Sequence, residues 1–134
     1  MLFNRGDIIR FTYPSRNDRF KQVFVIHELW NGKMHALDMK RMTVAEREVL
    51  TIVMDPKMKG KRHRIPLVND ILARMDPPTL LENPVSFYNQ FVKQFIKDKD
   101  VYRTFYPPKM TGIQKVKSGD RVMSVMGGKP LFGG

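Results

Sequence analysis

The sequence predicts an α+β domain: a small antiparallel β-barrel made from an N-terminal meander and C-terminal strands, with three helices inserted between them. Three observations carry this reading. Residues 6–42 form three β-type runs separated by turn signals, residues 43–100 switch to helical periodicity, and residues 101–126 return to strand character before a glycine-rich tail over 127–134. At 134 residues and 42% hydrophobic, the chain has room for one domain with a modest core.

The first strand runs from Asp7 to Tyr13, with Ile9, Phe11 and Tyr13 on one side and Ile8, Arg10 and Thr12 on the other. A polar loop follows from Pro14 to Lys21, in which Arg16, Arg19 and Lys21 surround Phe20. The second and third strands flank Asn31-Gly32, a pair that tolerates the positive φ a type I′ turn demands. A two-residue loop there pairs Trp30 with Lys33, Glu28 with His35 and Ile26 with Leu37. One face then carries Phe24, Ile26, Glu28, Trp30, Lys33, His35, Leu37 and Met39, and the other Val23, Val25, His27, Leu29, Met34, Ala36 and Asp38. Both faces are apolar over 23–26, so both should be covered, whereas the polar turn end should meet solvent or ligand.

Thr43-Val-Ala-Glu46 is a capping-box pattern and predicts a helix from there to about Met54, stopped by Asp55-Pro56. Val49, Leu50, Val53 and Met54 supply its apolar stripe, with Glu46, Arg47 and Glu48 toward water. The second helix begins at Pro66, its Leu67, Val68, Ile71, Leu72 and Met75 recur at helical spacing, and it is stopped by Asp76-Pro77-Pro78. Asn83 caps a third helix reaching about Lys97, whose Phe87, Tyr88, Phe91, Val92, Phe95 and Ile96 read as core at helical spacing. Strand character resumes over Val101–Tyr106, with Val101, Arg103 and Phe105 on one side, then over Gly112–Lys117 and, past a turn at Ser118-Gly119-Asp120, over Arg121–Met126.

Charge is the most informative global property. The chain carries 24 Lys and Arg against 13 Asp and Glu, a formal net charge of +11. The surplus is uneven: eight against four over residues 1–42, ten against eight over 43–100, and six against one over 101–134. Such a field favours phosphate backbones or acidic partner proteins. Lys57, Lys59, Lys61, Arg62 and Arg64 lie within eight residues containing no acid, either a nucleic-acid contact or a linker kept soluble by charge. Aromatics interleave with cations at Phe20 within the Arg16–Lys21 loop, at Trp30 beside Lys33, and at Tyr102 beside Arg103, the combination that stacks bases while neutralising phosphates. Arg103 would equally serve as a structural partner for an aromatic ring.

Other chemistries find less support. With no cysteine, disulfides, thiolate metal sites and a cysteine nucleophile are excluded. The expected register sends His27 and His35 to opposite faces and leaves His63 in the basic run, so no metal site is expected. No phosphate-binding glycine loop or catalytic motif is present, and no catalytic residue or cofactor is assigned; Glu28 opposite His35 reads as a cross-strand polar pair rather than an acid/base couple. There is no run long enough to span a membrane and no signal-peptide pattern, so a cytoplasmic protein is expected. The Leu131-Phe132 pair is the one apolar anchor of the terminal tail and a candidate docking element.

Gly6-Asp-Ile-Ile9, the long loop after it and Val23-Phe-Val-Ile26 together resemble the start of SH3-like barrels, including KOW-type nucleic-acid modules and the MazF/PemK-type ribonuclease toxins. For the toxins the resemblance implies that Arg16 or Arg19 would act as the catalytic arginine, although their polar catalytic strand end does not follow Val23–Glu28. Met34–Thr43 with Tyr102-Arg-Thr-Phe105 is similar to small proteins of unassigned function from tailed bacteriophages, which implies a viral setting in the infected host's cytoplasm or in the virion. The expected function is non-catalytic binding of DNA or RNA through Arg16, Arg19, Lys21, Trp30, Lys33, Lys57, Lys59, Lys61, Arg62, Arg64 and Arg103. The second expectation is a virion structural or assembly protein docking on acidic phage partners, and the third a toxin-type ribonuclease. Assembly into a homo-oligomer is compatible with each.

Overall fold

The computed structural model describes residues 3–15, 18–58, 60–74 and 76–116. Within them the chain is α+β, with strands β1 (Ile8–Thr12), β2 (Phe20–Trp30), β3 (Lys33–Asp38), β4 (Tyr102–Phe105) and β5 (Thr111–Lys115) in one antiparallel sheet. The strand order is β4-β3-β2-β1-β5, so the two C-terminal strands flank the N-terminal meander on opposite edges. The segments expected over 118–126 and the tail with Leu131 and Phe132 lie outside the described residues, as do Arg16 and Lys59.

Asn31 (φ 52°) and Gly32 (φ 79°) make the expected left-handed turn, and Trp30 pairs with Lys33. Beyond that pair the register departs from expectation. His27 rather than Glu28 faces His35, and Phe24 rather than Ile26 faces Leu37, because the ladder shifts once between Trp30 and His27 and again between His27 and Val25. Each shift places one extra residue on β2. Two such shifts restore the alternation, so the face assignment survives the change of partners: Phe24, Ile26, Leu37 and Met39 enter one core, and Val23, Val25, Met34 and Ala36 the other.

The first core lies between the sheet and the helices. The helices are α1 (Val44–Val53), α2 (Pro66–Arg74), α3 (Pro77–Glu82), α4 (Pro84–Phe87) and α5 (Lys93–Phe95), with a π-helical turn over Tyr88–Val92 joining the last two. Leu50, Val53, Ile71, Leu80, Phe87, Phe91 and Val92 pack with Ile8, Phe24 and Leu37. The capping box forms as expected, but Glu46 is buried rather than solvated: one carboxylate oxygen accepts from Thr43 N at 2.9 Å and the other from Lys97 N at 2.6 Å. Asp76-Pro77-Pro78, expected only as a stop, opens α3, since proline is tolerated in the first helical turn where no amide is needed. Of the expected α2 stripe, Val68 and Ile71 are buried while Leu67 is 45% exposed.

The second core, on the other side, contains Ile9, Phe11, Val23, Val25, Met34, Phe105 and Met110. Phe11 on β1 and Phe105 on β4 meet edge to face at 5.1 Å, although two strands separate them in the sheet. Three strand spacings of about 4.8 Å would hold them near 14 Å apart in a flat sheet, so the sheet must curl strongly. Tyr13 stands 5.1 Å from the same ring, and its hydroxyl accepts from Tyr106 N at 3.0 Å. The sheet nonetheless stays open: among the described residues no ladder joins β4 to β5, and the closed barrel expected from the sequence is not seen.

Candidate functional site

The curl leaves one part of the sheet uncovered by helices. Ile8 and Phe24, partners in the β1/β2 ladder, are buried under them, but two residues along the same face Arg10 pairs with Gln22, and two further on Thr12 pairs with Phe20. On the other flank of β1, Arg10 also pairs with Gln114 and Thr12 with Thr111. Between these pairs β5 carries one extra residue, with Gly112 at φ +62°, a left-handed value glycine adopts without a Cβ clash. The bulge realigns β5 so that Gln114 meets Arg10.

The result is a cleft of about 390 Å³ lined by Arg10, Phe11, Thr12, Phe20, Lys21, Gln22, Lys40, Gly112 and Gln114. Its floor is a polar row across three strands. Arg10 Nε donates to Gln22 Oε1 at 2.9 Å. Phe20 is 69% exposed. Lys21 is only 6% exposed, its aliphatic stem covered by protein.

Lys40 arrives from outside the ladder. Asp38 ends β3 and accepts from Lys40 N at 3.2 Å, capping a 3₁₀ turn over Met39–Arg41 that sends Lys40 back to the start of β2. There Lys40 Nζ donates to Phe20 O at 2.6 Å and to Asp18 Oδ2 at 3.1 Å. The hydrogen bond from Lys40, with further help from the charges of Lys40 and Lys21, holds the Asp18 carboxyl below its ordinary range. Asp18 Oδ1 also accepts from Phe20 N at 3.1 Å, fixing the entry into β2.

The residues expected to bind nucleic acid do not form one patch. Lys21 and exposed Arg19 stand at or beside the cleft, but Trp30, at the far end of β2, and Lys33, at the start of β3, lie nine extended residues or about 30 Å along the strand from Lys21. Trp30 there packs edge-on against His27 at 5.3 Å. Arg103, opposite Ala36 on β4, lies with its guanidinium carbon 5.9 Å from the Phe105 ring centre, the structural use foreseen as its alternative. Lys57, Lys61, Arg62 and Arg64 are exposed on the connection from α1 to α2, which is anchored by His63: its amide and carbonyl both bond the Asn69 side chain at 2.5 Å. Arg10, Gln22, Lys40 and Gln114 were missed as site residues, because the ladder brings Arg10, Gln22 and Gln114 together and the Met39–Arg41 turn adds Lys40, neither of which is visible in local sequence.

Glu28 does not couple to His35. Arg5 takes it instead, with Nη2 2.6 Å from Oε1 and Nε 3.1 Å from Oε2, and this bidentate pair holds the Glu28 carboxyl well below its usual range, at about 2. His27 and His35, expected on opposite faces, are ladder partners; burial pushes both imidazoles below their ordinary value. His35 Nδ1 lies 2.6 Å from the Tyr102 hydroxyl and Nε2 lies 3.1 Å from Trp30 O. Among the described residues, no three metal-ligating side chains converge and no helix is long and apolar enough to cross a membrane. Comparison with family models, curated protein sequences and solved structures finds no match.

Proposed function

We propose that this protein binds nucleic acid without catalysing a reaction on it, and that the cleft on β1, β2 and β5 is the binding site. One observation carries the reading: an aromatic side chain, Phe20, is exposed at a cleft that also presents two exposed cations, Arg10 and Lys40. Cations neutralise backbone phosphate, and a bare ring offers a stacking surface to a base. The lining also holds the side-chain amides of Gln22 and Gln114 and the Thr12 hydroxyl, groups able to hydrogen-bond a base. Arg19 and the Lys57–Arg64 connection add to the general positive field, and the setting implied by resemblance is that of a phage accessory protein in the infected cell.

The reading extends to the architecture. The ring contacts of Phe105 with Phe11 and Tyr13 across the curled sheet support a half-rolled version of the SH3-like barrel.

Electrophoretic mobility shifts with DNA and RNA test the proposal. Two cations on phosphate imply that affinity falls roughly 7- to 12-fold between about 50 and 200 mM salt. The Arg10→Ala/Lys40→Ala double variant should weaken binding and reduce the salt slope. Binding that is absent, or indifferent to salt, overturns the reading.

A further inference from the structure

The register of the cleft bears on the kind of strand it accepts. Resting on the proposed nucleic-acid reading, we infer that the cleft is built for a single strand, with one unpaired base stacked on Phe20 and its neighbouring phosphate taken by Lys40 and Arg10.

Two rows of side chains define the surface. Gln114, Arg10 and Gln22 form one row across β5, β1 and β2, and Thr111, Thr12 and Phe20 form the next. Adjacent strands are about 4.8 Å apart and rows two residues apart are separated by about 7 Å, so the Phe20 ring and the amide row are spaced by about the width of one nucleobase. Side-chain amides carry both donors and acceptors, the same mixture that the pairing edge of a base presents. In a duplex that edge is already paired and the base faces are stacked on their neighbours. A ring and an amide row would then have nothing to meet, and only the cations would contribute. A cleft of about 390 Å³ also lies at the small end of ligand pockets, suited to about one nucleotide rather than to a duplex groove.

The cation arrangement fits the same picture. Lys40 is held at the cleft by Asp18 and by the Phe20 carbonyl, next to the ring that would stack the base. An incoming phosphate would compete with Asp18 for the Lys40 ammonium, so Asp18 restrains affinity. Asp18→Asn separates its two roles: the amide oxygen can still accept from Phe20 N, while the competing charge is gone.

Fluorescence anisotropy with labelled single-stranded DNA and RNA 12-mers, and with the corresponding duplexes, tests the inference on the full chain. Single strands should bind at least tenfold more tightly than duplexes of the same sequence, and the DNA and RNA arms decide which sugar is preferred. Phe20→Ala, at an exposed position, should lose about tenfold for single strands and leave duplex affinity unchanged. Phe20→Trp should retain single-strand affinity, and Asp18→Asn should tighten it roughly threefold. Equal affinity for both forms with Phe20→Ala silent overturns the single-strand inference while the proposed function stands. Binding to neither form overturns both, and no gain in Asp18→Asn removes the phosphate role of Lys40.

Discussion

The tautomer of His35 follows from its partners. Trp30 O can only accept, so Nε2 carries the proton, Nδ1 is the bare acceptor, and the Tyr102 hydroxyl donates to it. Burial disfavours charge on both groups, keeping the imidazole neutral and pushing the Tyr102 hydroxyl up to about 12. Tyr102→Phe would strand a buried acceptor at a cost of about 1–2 kcal/mol, read as a lower urea midpoint at unchanged slope. The Arg5–Glu28 pair has a different signature. With the Glu28 pKa lowered from 4.5 to about 2, its contribution is fully present above pH 4.5 and is lost as pH falls through about 2. Both partners are partly exposed, which limits that contribution to about 1–2 kcal/mol after screening. Urea titrations between those pH values should therefore show a steeper acid loss in the wild type than in Glu28→Gln. Neither contact was legible in the sequence, since Arg5 and Tyr102 come from 23 and 67 positions away.

Among the elements, α1 and the α4–α5 helix show how far local signals reach. The Thr43/Glu46 box is readable because both bonds close within one turn. The second oxygen of Glu46, which accepts Lys97 N, is not, because its donor lies 51 residues away. Glu46→Ala should then cost about 2–3 kcal/mol, more than the roughly 1 kcal/mol expected of Thr43→Ala, since it unpairs two amides rather than removing one cap. Equilibrium denaturation of the two variants checks the order, and Glu46→Gln should fall between wild type and Glu46→Ala. The π turn explains the width of the aromatic face. Positions four apart over-rotate by about 40° per step on an α-helix, and a turn closed at i→i+5 takes back part of that drift, so that Phe87, Phe91, Val92 and Ile96 can all reach the core.

For the molecule as a whole, the curl of the sheet links stability to the site. Phe105 bridges β4 to Phe11 and Tyr13 on the far side of the meander, and β1, which carries Phe11, also carries Arg10. Phe105→Ala should cost about 3–5 kcal/mol, the range for emptying a buried aromatic site, measurable by denaturant or thermal unfolding. The surplus charge has a mixed disposition. Some cations are neutralised locally, Arg41 by Asp98 and Asp100 and Lys115 by Asp7, while the cleft presents Arg10 together with Lys40, which pairs with Asp18. On the proposed nucleic-acid reading, a charge-reversing Arg10→Glu should weaken binding more than Lys57→Glu, which lies on the α1–α2 connection, and anisotropy at fixed salt decides between them.

What the sequence determined by itself is whatever closes within a few residues: the Asn31-Gly32 turn, the Thr43 cap, the change of period at residue 43, and the inward face of each strand. Tertiary structure decided the pairing. Two bulges on β2 and one on β5 reset who faces whom, and strands more than a hundred positions apart, at Arg10 and Gln114, came to share one row. Alternation along a strand is fixed by the geometry of each residue, but partnership across strands depends on where the ladder slips. A site assembled from four separate segments is therefore visible only after the sheet has formed.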